Sequence, residues 1–476
     1  MTATRQHNLL ALSDLHLGSD LVQHVRPEQP ERSVPSDQRD RALIALLSWY
    51  REHRAGGLPW RLVIGGDFVD FTGMSVPALP GTVETEPTEE ERSHGLGSAR
   101  DHTLVKVGLV FEHHRAVMQA LADFLAAGNS LVIVRGNHDV EWHWRAVQRD
   151  FRRRLARLAP LTRGQIRFAP WFYYEEGLVY VEHGHQYDAA CSYEHLLYPV
   201  SPADPRRTAH SLSDVLLRYV ARPTPGMNES GHETATLADY LRFGVQLGAG
   251  GLLALARRFA AANGVLLRTW RESFGGAARW VKRIHDQRLR ALGLSYRISA
   301  ERLHGLARLQ RTPSTHSLKA ILQSVMLDQV LLTLGALSLA TVAVALLPWR
   351  LALPSAGSII ALLELVRRAS RRQRALEPSA VLRESSARVA KLFPAAFVVM
   401  GHTHLPEMRP SAEHTTYVNL GAWAPEQAFG EQNAPLCPTR SHFVLVADGT
   451  TISAELRTWE GDGPRLLEGA PRSAKV

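Results

Sequence analysis

The chain has 476 residues, 45% of them hydrophobic and 21% charged, with 35 Gly and 26 Pro. That balance excludes a disordered tail and a fibrous repeat, and two cysteines, Cys191 and Cys437, cannot build a disulfide scaffold. Lys and Arg outnumber Asp and Glu by 55 to 46, a formal charge of +9 that raises nucleic acid or an anionic membrane as a partner until the charge is located.

In chain order, Met1 to Asn8 lead into an apolar strand without the charged start and apolar run of a secretory signal, so export by that route is not expected. Neither cysteine lies in a Cys-x-x-Cys pair, and a reducing compartment is the default. Apolar runs at Asn8 to Ser13, Arg61 to Gly65, Ser130 to Val134 and Leu178 to Val181 predict buried parallel strands. Helix-period stretches at Ala42 to Arg54 and Val105 to Ala127 separate them in a βαβ rhythm, and Thr82 to Glu91 reads as a surface loop. Strands resume at Ala396 to Met400, Thr415 to Leu420, His442 to Ala447 and Thr451 to Thr458. The expected division is a strand-rich part at 1–190, a helical insert at 191–390 and a second strand-rich part at 391–476.

The basicity belongs to the insert. Residues 251–374 hold 20 Lys and Arg against 5 Asp and Glu, a local balance of +15, so the rest of the chain carries −6. Gln329 to Trp349 is a run of 21 residues without a charge; as a helix it would be about 32 Å long, enough for a hydrocarbon core of about 30 Å. Leu351 to Leu363 is a second uncharged run of 13 residues, followed by Arg367, Arg368, Arg371, Arg372 and Arg374.

Five short blocks stand at the ends of predicted strands: Asp14-Leu15-His16, Gly66-Asp67, Gly136-Asn137-His138-Asp139, His183-Gly184-His185 and Gly401-His402-Thr403-His404. Carboxylate, amide oxygen and neutral imidazole suit Mn²⁺, Fe or Zn²⁺, whereas a soft-metal site would want thiolates. The glycines allow tight turns where strand gives way to loop. Asp14 and His16 are two apart, as are His402 and His404, so in an extended segment each pair would project to one side. His113, His114, Tyr187 and Asp188 lack motif support and read as ordinary polar or helix-face residues.

The order of the five blocks resembles the calcineurin-like metallophosphoesterase superfamily, over about residues 8–190 and 390–460. That resemblance implies an α/β fold, a four-layer sandwich of two β-sheets flanked by helices, interrupted here by a large helical insert. It implies that Asp14, His16, Asp67 and His404 hold one divalent metal ion, and that Asn137, His183 and His402 hold a second, with Asp67 bridging. Manganese is the first expectation, with iron or zinc as alternatives. His138 would protonate or stabilise the leaving oxygen, Asp139 would orient its ring, and His185 would stand behind the ligands, hydrogen-bonded near the site. Two ions about 3.5 to 4 Å apart neutralise a phosphate ester and make hydroxide available near neutral pH.

The ligands also constrain topology. His402 and His404 must meet Asp14 and His16, so the insert crosses any bilayer an even number of times or not at all. A helical hairpin, a re-entrant loop and helices lying in the interface all fit, as does a helix buried in a helical subdomain or an oligomer interface. The basic residues of Arg257 to Lys319 suit anionic head groups, and the arginines at 367–374 place their end in the cytoplasm. Ala336 and Ala340, four apart, allow close helix packing. Within the superfamily the arrangement looks like an enlarged version of the UDP-2,3-diacylglucosamine pyrophosphatase branch, which has Arg where His138 stands and a much shorter insert. The expectation is therefore a phosphodiester or pyrophosphate hydrolase acting on a lipid-linked or membrane-proximal substrate, held at the cytoplasmic face of the membrane through residues 251–374, with nucleic acid not favoured. A soluble cytoplasmic phosphatase or nuclease and a non-catalytic membrane scaffold are the alternatives.

Overall fold

The computed structural model describes residues 6–21, 36–162, 164–224, 227, 243–324, 327–374, 378–412, 414–424, 439–448, 451–469 and 474–475. Cys437 and the side chains of Arg367, Arg371, Arg372 and Arg374 lie outside the described residues.

The first part of the chain runs β1 (Asn8–Leu12), α1 (Ser36–Glu52), β2 (Trp60–Ile64), α2 (Glu89–His94), α3 (Arg100–His113), α4 (Arg115–Ala126), β3 (Ser130–Val134), α5 (Arg145–Leu158), β4 (Ile166–Ala169), β5 (Phe172–Glu175) and β6 (Gly177–Glu182). The middle holds α6 (Leu212–Leu216), α7 (Gly248–Glu272), α8 (Gly276–Tyr296), α9 (Ala300–Leu309), α10 (Leu318–Ser324), α11 (Leu327–Leu346), α12 (Trp349–Arg374) and α13 (Pro378–Leu392). The chain closes with β7 (Ala395–Met400), β8 (Glu407–Ala412), β9 (Thr415–Asn419), β10 (Ser441–Asp448), β11 (Thr451–Glu460), β12 (Gly463–Leu466) and β13 (Ala474–Lys475).

Two mixed sheets result. One has the order β12-β11-β10-β1-β2-β3-β4, with β13 on β11; the other is β5-β6-β7-β9-β8. Strands β1 to β4 are parallel, as are β6, β7 and β9, whereas β10 and β11 pair antiparallel. The late strands complete the early sheets: β10 lies against β1, and β7 against β6.

Both faces of the central strands are buried, which is why they read as continuous apolar runs. Leu9, Ala11, Val63, Val132 and Val134 meet Val179, Val181, Phe397, Val399 and Val418 between the sheets. Their alternates Leu10, Leu12, Leu62, Ile64, Leu131 and Ile133 turn outward onto Leu46, Val107, Leu121 and Phe151 of the first helical layer. On the other side Tyr180, Val398 and Met400 pack on Leu289, Leu303, Leu306, Leu382 and Val389, so α8, α9 and α13 supply the fourth layer.

Local differences from the sequence reading have physical causes. The stretch expected as one helix from Val105 to Ala127 breaks at His114, whose ring is buried and accepts a hydrogen bond from Gly18 N at 3.0 Å while its Nδ1 lies 2.6 Å from Asp40 Oδ2. The loop at 82–91 ends in a capping box, in which Thr88 and Glu91 start α2.

Candidate metal centre

The five blocks all follow the carboxyl ends of parallel strands: β1, β2 and β3 in one sheet, β6 and β7 in the other. Backbone hydrogen bonds stitch the loops together, Asp14 N to Gly66 O, His16 N to Asp67 O, Phe71 N to His138 O and Gly401 N to His183 O. Residues far apart in sequence therefore converge.

The backbone at the ligands is left-handed, not extended. Asp14, His16, Asp67, His402 and His404 all have positive φ, between 45° and 70°. A non-glycine residue pays for that conformation, and such residues concentrate where function demands a particular side-chain direction. The two-residue spacing converges the pairs by this curled path rather than by strand alternation.

Three of the motif glycines act by close approach. A Cβ on Gly136 would stand 2.0 Å from Asp67 Oδ1, and one on Gly401 would stand 2.4 Å from Asp14 Oδ2. Gly66 combines a φ of +104° with a Cβ position 2.4 Å from the His183 ring. Turn formation alone, the sequence expectation, does not explain Gly136 or Gly401.

The donor atoms then face one another. Asp14, His16 and His404 offer atoms all within 4.8 Å of one another, and so do Asp14, Asp67 and His183. His404 Nε2 lies 2.9 Å from Asp14 Oδ1, and His183 Nε2 lies 3.1 Å from Asp67 Oδ2 and 3.0 Å from Asn137 Oδ1. His16 Nε2 is buried, has no hydrogen-bond partner among the described residues, and stands 3.9 Å from Asp14 Oδ1 and 3.8 Å from Asp67 Oδ2. An orphaned imidazole nitrogen facing two buried carboxylates fits a cation, since a buried polar atom otherwise goes unpaired at a cost.

Charge states agree with that fit. Burial first, and His138 beside it, push the His16 imidazole down to about 4, so it is neutral and its lone pair is available near pH 7. Burial alone would raise the Asp14 carboxyl, but His404 and His183 outweigh it and hold it at about 2. Burial would also lower His183, yet Asp67 and Asp14 push it up to about 9, the mark of a pocket that attracts positive charge.

His402 sits differently. Its N–H of the main chain donates to Asp14 Oδ2 at 3.2 Å, its ring is 5.3 Å from that of His183, and its Nε2 lies 3.2 Å from Asp188 Oδ2. Asp188 was read as an ordinary polar residue; the structure sets it against a candidate ligand, with Cys191 in the same group. His185 is buried, its ring 5.3 Å from His183 and its Nε2 3.1 Å from Gln186 Nε2.

His138 is partly exposed, as His404 is, and lies T-shaped against His16 at 4.6 Å between centroids. Its ring is not oriented by Asp139. The Asp139 carboxylate points back into its own loop, accepting from Gly136 N, Phe68 N and Trp142 Nε1 at 2.7, 2.9 and 3.1 Å. Asp70 takes the expected place, with Oδ1 2.8 Å from His138 Nδ1 and Oδ2 accepting from Arg222 Nη2 at 3.3 Å. Burial would lower His138, but Asp70 and Asp67 outweigh it and push the imidazole up to about 10, which leaves it charged and able to donate.

Sequence reasoning missed other supports. Buried Arg39 donates to the carbonyls of Leu15 and His16, fixing the first loop, and Asn419 donates to Gly401 O and Thr403 Oγ1, fixing the last. Tyr193 OH donates to Asp214 Oδ2 at 2.7 Å and lies 3.2 Å from Asn137 O, so residues assigned to the insert stand against the third block. Asp70 lies three residues after Asp67 on one loop but carries no motif of its own, and Arg39, Asn419 and Tyr193 reach the site only through the fold.

Residues 7–231 match the family model described as calcineurin-like phosphoesterase. No curated protein matches the chain. The matched stretch contains the first four blocks, together with Tyr193, Asp214 and Arg222; geometry joins the fifth block to them. The match is to the family as a whole and does not single out the UDP-2,3-diacylglucosamine branch.

Proposed function

Residues 7–231 form a calcineurin-like phosphoesterase domain, and on that premise we propose that the chain is a metal-dependent phosphoester hydrolase that cleaves a phosphodiester or pyrophosphate bond in a lipid-linked or membrane-proximal substrate. Asp14, His16, Asp67 and His404 would hold one ion, Asn137, His183 and His402 a second, with Asp67 shared between them and manganese as the working metal. When bound, such ions neutralise the phosphate and lower the pKa of water at the site. The carrying observation is the His16 Nε2, buried without a hydrogen-bond partner among the described residues and directed at Asp14 and Asp67.

The chain's own residues do the rest. His138, charged through Asp70, is placed to hold or give a proton at Nε2 to the leaving oxygen, and Asp70 keeps the proton on Nδ1. Arg222 holds Asp70 from behind. Arg39 and Asn419 keep the two outer loops from opening.

The membrane part of the reading is supported by the basic insert and by the apolar helices α11 and α12; the arginines of 367–374 favour the cytoplasmic face. The test is an activity profile with Mn²⁺ across p-nitrophenyl phosphate, bis(p-nitrophenyl) phosphate and a lipid pyrophosphate in mixed micelles. Turnover of the diester or pyrophosphate, lost in Asp67→Asn, supports the proposal. Turnover that survives Asp67→Asn unchanged refutes it.

A further inference from the structure

We infer that α11 and α12 form a two-helix hairpin that crosses a lipid bilayer and returns, anchoring the catalytic sandwich as an integral membrane protein. The inference rests on the membrane-proximal part of the preceding reading and not on its chemistry.

The two helices pack on each other and are joined at Pro348. The half-buried positions of α11 form the row Thr333, Ala336, Ala340 and Ala343, and the buried or half-buried ones of α12 are Ala352, Ser355, Ala356, Ile359, Leu363 and Glu364, which places the seam between the two packed helices along these rows. Small residues on this seam let the backbones approach. Away from it, Leu334, Leu337, Leu339, Val342, Val344 and Leu346 are all exposed. At about 100° per residue these positions spread over most of the circumference rather than along one stripe.

That distribution selects the occupant. A second copy would cover one face of each helix and leave the remaining leucines in water, and a helix lying in the head-group region needs a polar face. Hydrocarbon covers every outward side at once. The lengths agree: α11 has 20 residues, about 30 Å, and the apolar part of α12, Trp349–Val366, has 18, about 27 Å.

The polar groups sit where a bilayer tolerates them. At the tip Arg350 lies over the Trp349 ring at 5.6 Å, a pairing suited to the far interface. Pro354 cannot donate to the carbonyl of Arg350, which at the tip can meet water or head groups. Within the span Thr341 Oγ1 returns its proton to Leu337 O at 2.8 Å. At the base Glu364 is paired with Arg368 at 3.1 Å.

The experiment uses the full chain in sealed vesicles of phosphatidylcholine and phosphatidylglycerol, with Cys437→Ser as background. The protein is expected to float with the vesicles and to stay through an alkaline carbonate wash. Arg350→Cys is expected to escape a membrane-impermeant maleimide until detergent is added, while Leu294→Cys on α8 labels at once. Leu339→Arg is expected to cut the floated fraction at least tenfold and leave hydrolysis of bis(p-nitrophenyl) phosphate unchanged, which shows the variant folded. A detergent-free soluble parent, as monomer or dimer, overturns the inference, and so does Arg350→Cys labelling as fast as Leu294→Cys. Asp67→Asn should float like the parent: flotation without hydrolysis by the parent breaks the phosphoesterase reading alone, and hydrolysis without flotation breaks this one alone.

Discussion

The sandwich and the hairpin invert each other's solvent logic. In the sandwich, carboxylates, imidazoles and an arginine are buried, and each is held by a neighbour or by the candidate metal centre. In the hairpin Trp349 is 72% exposed and Leu339 61%, with few polar groups between the ends. One region hides charge inside apolar walls; the other shows apolar walls to its surroundings. Buried charge marks where chemistry is arranged, and unhidden hydrocarbon marks where another apolar phase must be.

The sharpest break between the two is expected from Asp67→Asn. Losing the carboxylate proposed to bridge the two ions should lower turnover by about 10² to 10³-fold, the scale of removing one preorganised charge-stabilising group. Steady-state assays with Mn²⁺ read this, and metal content of the purified variant should fall with it. Vesicle flotation should not move, because the hairpin has no part in the centre.

Next comes the Asp188 carboxylate behind His402. A partner on the far nitrogen of a ligating histidine fixes its tautomer and direction, and losing one costs about 10 to 100-fold in metal affinity or activity. Asp188→Asn should weaken Mn²⁺ binding by that factor in calorimetric titration. Affinity equal to the parent's would mean that His402 is not held through Asp188.

Glycine gives a closer comparison of the two regions. Gly136→Ala pushes a methyl into the space of Asp67 Oδ1 and should cost about 1 to 3 kcal/mol, as overpacking does, together with metal affinity. Gly335→Ala lies within α11 with nothing within 4 Å of the new Cβ, and should be neutral or stabilise by roughly 0.5 to 1 kcal/mol. Thermal unfolding of the two variants tests this. Equal destabilisation would show that the hairpin is packed against something other than lipid.

What the sequence disclosed follows the same divide. Strands β1, β2, β3, β6 and β7 were legible because both faces are apolar and each ends in a ligand block, and β9 because of its buried apolar run alone. Short β4, β5, β8 and β12 lie nearer the sheet edges, carry weaker patterns and were not read. The ligand blocks were visible because metal chemistry restricts residue type. Their supports were not: Asp70 looked like any loop aspartate, and Arg39 meets His16 O only after α1 docks. The pairing of His138 with Asp70 shows the limit, since Asp139 is adjacent in sequence yet turns away to accept three N–H donors of its own surroundings.

The smallest expected effect concerns pH and belongs to the sandwich alone, because residues 327–374 contain no histidine. His442 on β10 is fully buried, with Nε2 3.0 Å from Tyr50 OH, and burial pushes its imidazole down to about 3. The unfolded chain protonates this group near 6.5, so below that pH the unfolded state takes up a proton that the folded state refuses. His442 therefore contributes stability that is present above 6.5 and is lost as pH falls toward 3. Relative to His442→Asn, which cannot titrate, the parent should lose about 1 kcal/mol between pH 7 and pH 5.5, and about 1.4 kcal/mol for each further unit. Denaturant unfolding of both proteins at the two pH values measures this as a difference, in which the other titrating groups cancel. A gap that stays constant would mean that water reaches His442 through the sheet edge and that this part of the core is less dry than its packing against Tyr50 requires.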